Sequence, residues 1–186
     1  MKKEEAVLEL FFNEPTKHWH FEEILKEAKI SRPQASRWLN KMKQEGVVQR
    51  IKERRNFPYY QGNYQNASYR YRKKLFTLGI LYASGFLNHL FSLEKARTVI
   101  LFGSIMRSDW HKESDIDIFI YGEDDDFEQG KYERILGREI QVFVAKNKKD
   151  LERMGVLLLE NIIKGYIVKG NLDFLEVHIR AKRKDK

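Results

Sequence analysis

The chain has 186 residues, of which 42% are hydrophobic and 33% charged, a composition typical of one or two globular domains. The absence of cysteine excludes disulfides and thiolate metal sites. The acidic, broken apolar start predicts no signal peptide, and no apolar segment reaches the ~20 residues that a membrane helix needs. We therefore expect a cytoplasmic protein without a membrane segment.

The formal charge of +8 is concentrated in the first half of the chain. Residues 1–96 carry 18 basic and 10 acidic side chains, whereas residues 97–186 carry 17 of each. Within residues 31–74 there are 12 basic and only 2 acidic side chains, interleaved with tyrosines. Such a patch indicates a polyanionic partner, most simply nucleic acid, although a generic solvated basic surface has the same composition.

Three helices are predicted at the start of the chain. Apolar residues at helical spacing predict one helix that ends at Pro15 and a second helix over residues 21–28. Ser31 is the predicted N-cap of a third helix, which Gly46 ends. The buried stripe of this third helix is predicted to consist of Ala35, Trp38, Leu39 and Met42.

A basic hairpin is predicted next, with strands over residues 47–51 and 57–60. Three helices and a basic hairpin resemble a winged helix-turn-helix, and residues 36–48 resemble the recognition-helix segment of ArsR- and MarR-like regulators. The resemblance implies DNA as a partner, although the same fold also serves in protein contacts. Tight binding would imply a homodimer, because one domain makes few phosphate contacts. The implied DNA-contacting residues are Ser36, Arg37, Asn40 and Lys41 in the major groove, and Arg54 and Arg55 on the wing.

Residues 63–96 are predicted to join two parts of the protein. Residues 69–74 are strongly basic, and residues 75–91 predict a largely apolar helix weakened by Gly79 and Gly85. Apolar side chains on most of its circumference predict burial between domains or across a dimer interface. Alternatively, the tyrosines and arginines of residues 69–72 extend the nucleic-acid surface by stacking on bases.

Two apolar runs in the second half each meet polar residues at one end. Residues 99–102 break into Gly103-Ser104, and ten residues later Asp115-Ile116-Asp117 opens the run 118–121. If both runs are strands, Asp115 and Asp117 share one sheet face, because side chains alternate along a strand. Two carboxylates this close repel each other, so they predict a bound cation, for which Mg²⁺ is the natural candidate.

This pattern resembles the nucleotidyltransferase superfamily that includes DNA polymerase β, above all its minimal nucleotidyltransferase branch. The resemblance implies transfer of a nucleoside monophosphate from a nucleoside triphosphate to a hydroxyl group, with Mg²⁺ or Mn²⁺ held by Asp115 and Asp117. The implied nucleotide-binding residues are Gly103, Ser104, Arg107 and Ser114. Ser108 stands where the family commonly has glycine.

A further strand is predicted over residues 140–144, where the resemblance places a third carboxylate. Gln141 occupies that position, and we group it with Asp115 and Asp117 as the catalytic set. An amide oxygen can ligate Mg²⁺, but it brings no charge and accepts protons poorly. Two alternatives therefore stay open. One is a DNA-binding regulator whose degenerate second half only senses nucleotide; the other is an antitoxin whose acceptor hydroxyl belongs to a partner toxin.

The C-terminal part of the chain is predicted to support the sheet and to carry no functional residues. Asn147 is the predicted N-cap of a helix whose apolar stripe runs from Leu151 to Ile162. The predicted fold is α/β (α+β), with a winged helix-turn-helix over residues 1–66 and a helical connector over residues 67–96. A nucleotidyltransferase-like mixed sheet flanked by helices is predicted over residues 97–186.

Overall fold

The computed structural model describes residues 3–54 and 56–175, so Arg55, which we predicted to contact DNA, lies outside the described residues. The chain forms helices around a two-stranded and a four-stranded sheet. This architecture confirms the predicted α/β (α+β) fold with helices at the start and a mixed sheet in the second half.

Three helices and an antiparallel hairpin form the first part of the chain, in the element order of a winged helix. They are α1 (Lys3–Asn13), α2 (Phe21–Ala28), α3 (Arg32–Gln44), β1 (Val48–Ile51) and β2 (Tyr59–Gly62). Ser31 is the N-cap of α3, and its N–H donates to Gln34 Oε1 at 3.1 Å. The predicted stripe of α3 is buried in full. The second strand begins at Tyr59 rather than at residue 57, and Tyr60 forms an isolated bridge with Trp19.

Two helices, α4 (Ala67–Ala83) and α5 (Phe86–Ser92), follow the hairpin. The single helix predicted over residues 75–91 therefore starts too late and misses the break between α4 and α5, although its end agrees with that of α5 to within one residue. Asn66 Oδ1 accepts the Ser68 N–H at 2.8 Å and so starts α4 before the basic stretch. A bend of 67° separates α4 from α5.

The burial of α4 is one-sided, whereas its composition predicted burial over most of its circumference. Its inner face consists of Tyr69, Lys73, Thr77 and Leu81, and its outer face exposes Tyr71, Leu75 and Tyr82. Within residues 3–54 and 56–175, no single helix has the length and apolar character to cross a membrane; α4 and α5 meet those criteria only as a bent pair.

The second half is built on a mixed sheet with strand order β5-β4-β3-β6. Its strands are β3 (Ala96–Phe102), β4 (Ile116–Gly122), β5 (Ile140–Ala145) and β6 (Tyr166–Lys169). Strand β3 is antiparallel to both β4 and β6, whereas β4 and β5 are parallel. A parallel pair needs a crossover connection, which contains the helix α7 (Gln129–Leu136).

The remaining helices are α6 (Gly103–Arg107), between β3 and β4, and α8 (Lys148–Arg153) and α9 (Val156–Ile163), between β5 and β6. Asn147 is the N-cap of α8, as the sequence predicted, and its Oδ1 accepts the Lys149 N–H at 2.9 Å. The single helix predicted from there to Ile162 is wrong, because Gly155 has a φ of 76° and interrupts it.

The two faces of the sheet lie in different hydrophobic clusters. One face, which includes Ile116, Ile118 and Ile120, belongs to a cluster that continues into the N-terminal helices. The other face, which includes Phe119, packs with Leu151 of α8 and Ile162 of α9. The N-terminal helices and one sheet face therefore share a single core.

A lysine is buried where the N-terminal helices meet the second half. Lys73 on α4 is 1% exposed, and its Nζ donates to the Phe12 carbonyl at 2.9 Å and to the Trp110 carbonyl. The same Nζ lies 4.2 Å from the centre of the Trp110 ring. Burial lowers the pKa of Lys73 to about 7, although the Asp109 carboxylate partly opposes this change. Lys73 thus joins the last turn of α1 to the loop that follows α6.

We expect Lys73 to make the protein more stable as the pH rises from about 7 to about 10.5. In that window the unfolded chain still holds the Lys73 proton, whereas the folded protein has released it. The free energy of unfolding should gain up to ~1.4 kcal/mol per pH unit from this group. Urea unfolding of Lys73→Met should lack this part of the slope, and the neighbouring Lys74→Met should keep it. Equal slopes in wild type and Lys73→Met would contradict the expectation.

Candidate functional site

The Gly103 backbone and the Asp117 carboxylate meet where two antiparallel strands lie side by side. Asp117 pairs with Phe102, the last residue of β3, and the chain then turns at Gly103 into α6. Gly103 has a φ of 69°, and a Cβ at this position would lie 1.9 Å from Asp117 Oδ2. Only glycine leaves room for the carboxylate here, so the backbone of the turn lies directly against it.

Asp115 lies one residue before β4, is exposed, and acts electrostatically on Asp117. Burial raises the pKa of the Asp117 carboxyl, the Asp115 carboxylate raises it further, and the Arg107 guanidinium opposes both effects. The two carboxylates are therefore close enough to repel each other. A hard cation between them would remove this repulsion.

Gln141 lies beside Asp117 in the sheet. The two residues are register partners in the parallel pair of β4 and β5, so their side chains project from the same face. Gln141 is exposed at this position. The place next to Asp117 that the resemblance assigns to a third carboxylate therefore holds a neutral amide.

The donor set fits a magnesium ion that is shared with a nucleotide. Mg²⁺ is usually held by one or two carboxylates together with phosphate oxygens and waters, rather than by a cage of protein ligands. Asp115 and Asp117 supply the carboxylates, and the absence of a side chain at Gly103 leaves room for the Asp117 carboxylate against the turn. Within residues 3–54 and 56–175, no group of three or more histidine, aspartate or glutamate side chains could hold a metal ion.

The other predicted nucleotide-binding residues lie on α6 and in the loop that follows it. Ser104 is half-buried in the first turn of α6, and Arg107 is exposed at its end, with Nε 2.9 Å from Asp109 Oδ2. Ser114 Oγ accepts the His111 N–H at 2.9 Å, so this hydroxyl is engaged within the loop. Ser108 has a φ of 64°, a left-handed conformation that glycine adopts more easily.

Arg138, which no local sequence pattern marks, holds the loop between α6 and β4. Its Nη1 donates to the carbonyls of His111 and Ser114, both at 2.8 Å, and of Lys112 at 3.1 Å. Its Nη2 donates to Asn13 Oδ1 at 3.2 Å. Hydrogen bonds from a charged donor stabilise a fold by ~1.5–3 kcal/mol each, so they fix the loop immediately before Asp115.

The predicted DNA-contacting residues that the structure describes lie on the exposed side of α3 and in the hairpin turn. Ser36, Arg37 and Asn40 are exposed, and the Arg37 guanidinium lies 5.6 Å from the centre of the Trp38 ring. Lys41 is also exposed, but its Nζ is 2.8 Å from Glu4 Oε1, so it pairs with α1. Arg54 is exposed in the turn between β1 and β2.

A mixed sheet with a glycine turn packed against one of two paired carboxylates defines a site of the nucleotidyltransferase class. The family model described as the nucleotidyltransferase domain matches residues 84–178, which is more than half of the chain. The protein therefore belongs to this family, as the motif predicted. The match begins in front of α5. No curated protein and no solved structure shows significant similarity to the chain.

We expect Gly103→Ala to damage the site through its contact with Asp117. Gly137→Ala is the matched control, because Gly137 has a φ of 63° and its Cβ would meet nothing within 4 Å. Both variants carry the cost of a left-handed alanine, ~1–2 kcal/mol, whereas only Gly103→Ala must displace the carboxylate. Urea unfolding should show a further loss of about 1–3 kcal/mol in Gly103→Ala. Equal losses in the two variants would contradict the close contact.

Proposed function

We propose that the protein transfers a nucleoside monophosphate from a nucleoside triphosphate to a hydroxyl group, with Mg²⁺ or Mn²⁺ as the metal. The observation that carries this proposal is the Gly103 backbone packed against Asp117, with Asp115 within electrostatic reach. In the reaction the acceptor oxygen forms a bond to the α-phosphorus, and the bond from that phosphorus to the oxygen bridging to the β-phosphate breaks. Pyrophosphate leaves, and the hydroxyl proton passes to water.

Each side chain has a distinct role in this proposal. Asp115 and Asp117 would hold the metal ion, which when bound neutralises charge on the attacking and leaving oxygens. Gly103 and Ser104 would bind the β- and γ-phosphates through the backbone of the turn, and Arg107 would add a positive charge nearby. We also propose a cytoplasmic location, because nucleoside triphosphates are made and used in the cytoplasm.

The loop that Arg138 and Lys73 hold would position Asp115 before substrate arrives. A group already in place loses no further freedom during the reaction, which lowers the barrier. Gln141 would orient the metal or the acceptor through its amide, but it cannot remove a proton efficiently. We therefore infer slow transfer, in which deprotonation of the acceptor depends on solvent.

The test is incubation with labelled nucleoside triphosphates and Mg²⁺, followed by a search for labelled product. Wild type should form product, and Asp117→Asn should form none. Because the pKa of Asp117 is raised in the folded protein, its ionised form opposes folding at neutral pH. Asp117→Asn should therefore be at least as stable as wild type, which separates lost chemistry from lost structure.

Gln141→Asp refines the same assay, since it restores a carboxylate beside Asp117. A faster rate in Gln141→Asp would show that the amide limits transfer. Neither product nor nucleotide binding at millimolar concentration, in wild type and in Gln141→Asp alike, would refute the proposal.

We also propose that α3 and the hairpin bind DNA, with a homodimer as the binding species. The proposal is supported by the order of the elements and by the exposed Ser36, Arg37, Asn40 and Arg54 within the basic part of the chain. Gln141 beside Asp117 favours a second candidate function, in which the protein is a DNA-binding regulator that senses nucleotide without transferring it. In that case nucleotide would bind and no product would form.

Duplex DNA binding should weaken steeply as salt rises, because each phosphate contact releases a counterion. Arg37→Ala should reduce both the affinity and the steepness of the salt dependence. Lys26→Ala, which removes one charge from α2, is the control for nonspecific electrostatics. Affinity that does not depend on salt would argue that α3 binds a protein instead.

A further inference from the structure

A groove lies between α4 and the end of α6, on the side where the N-terminal part meets the nucleotidyltransferase domain. Two adjoining depressions of about 360 and 500 Å³ share Arg70, Arg107 and Ser108 in their walls. Each is within the range of ~300–1,000 Å³ that holds a small ligand. We call this the basic groove and define it by Tyr64, Arg70, Tyr71, Lys74, Arg107 and Ser108.

The charges of the basic groove are predominantly positive. Arg107 is paired with Asp109, the one acidic residue among the described residues that line the two depressions. Arg70 and Lys74 form no ion pair with any residue in the ranges 3–54 and 56–175. Two cations with no ion-pair partner in those ranges, one helical turn apart on α4, suit a ligand with repeated negative charges.

The basic groove also carries exposed aromatic rings. Tyr71 is 70% exposed and Tyr64 is 41% exposed, and each lies in the wall of one depression. Exposed rings beside a track of cations are the arrangement that single-stranded nucleic acids use, because each base stacks on a ring while its phosphate meets a cation. An acidic protein segment would use the cations but would leave the rings uncovered.

The basic groove leads to the nucleotidyltransferase site. Arg107 lines both depressions and also acts electrostatically on Asp117. It lies four residues after Gly103 on the same helix, about 6 Å along the axis. A strand held by Arg70 and Lys74 would therefore run past Arg107 toward the site.

From this arrangement we infer that the basic groove binds the end of a single-stranded nucleic acid, whose terminal hydroxyl is the acceptor of the nucleotidyl group. The inference rests on the proposed function and names its acceptor. The terminal oxygen forms the bond to the α-phosphorus of the nucleoside triphosphate, pyrophosphate leaves, and the proton goes to water. The product is the same strand, longer by one nucleotide.

The experiment measures fluorescence anisotropy of a labelled single-stranded RNA of about eight nucleotides with a free 3′ hydroxyl, within the site size of one binding module. The test variants are Arg70→Ala/Lys74→Ala and Tyr71→Ala. The matched control is Arg97→Ala/Lys149→Ala, which removes the same two charges from exposed positions elsewhere; Arg97 lies at the other end of β3 from Gly103. Calorimetry with Mg²⁺ and a non-hydrolysable nucleoside triphosphate is run on every variant.

We expect Arg70→Ala/Lys74→Ala to weaken RNA binding at least tenfold and to reduce the slope of log affinity against log salt by about 1.4, or 0.7 per lost phosphate contact. Tyr71→Ala should weaken binding by about five- to 150-fold through lost stacking. The control should change affinity by less than about twofold. Nucleotide binding should be unchanged in all three variants, because none of these residues belongs to the nucleotide site.

Two results would overturn the inference while leaving the proposed function intact. One is nucleotide binding without any RNA binding, which would point to an acidic protein or a small molecule as acceptor. The other is RNA binding that falls in Arg37→Ala/Asn40→Ala and not in the basic-groove variants, which would place the strand on α3. Absence of nucleotide binding in wild type would instead contradict the proposed function itself.

Discussion

Two basic side chains determine where the loop before Asp115 lies, because the segment from Ser108 to Asp115 has little regular structure of its own. Lys73 and Arg138 satisfy backbone carbonyls of this loop and connect it to the last turn of α1, whose carbonyls carry partial negative charge. Without Lys73 the carbonyls of Phe12 and Trp110 would be buried and unsatisfied, at a cost of ~1–3 kcal/mol each. The position of Asp115 therefore depends on the folded N-terminal helices as much as on the sheet.

Whereas Lys73 and Arg138 stabilise the loop, the paired carboxylates Asp115 and Asp117 lower the stability of the protein without a ligand. Burial and the charge of Asp115 both raise the pKa of Asp117, and Arg107 compensates only in part. A protein that keeps such a pair gives up stability at a place where a ligand can restore it. The strain is small and local because the rest of the sheet is apolar and fully buried at Ile118, Phe119 and Ile120.

Local patterns in the sequence were sufficient for most of the elements and for the pairing of Asp115 with Asp117. The 3.6-residue spacing of Ala35, Trp38, Leu39 and Met42 predicted the inner face of α3, and the period of two along β4 predicted that Asp115 and Asp117 act together. The prediction failed where one residue redirects the chain. Asn66 starts α4 early, and Gly155 breaks the C-terminal helix. Arg138 was out of reach for another reason: its partners are 24 to 125 residues away, and only the fold brings them together.

The contact between Gly103 and Asp117 couples substitutions at these two positions during evolution. A lineage that acquired any larger residue at 103 would have to move or lose the carboxylate in the same step, because the two groups would occupy the same space. A lineage that lost the aspartate first would keep only the backbone cost of a side chain at this left-handed position, ~1–2 kcal/mol. Among related chains, loss of this aspartate should therefore precede or accompany any loss of the glycine, and not follow it.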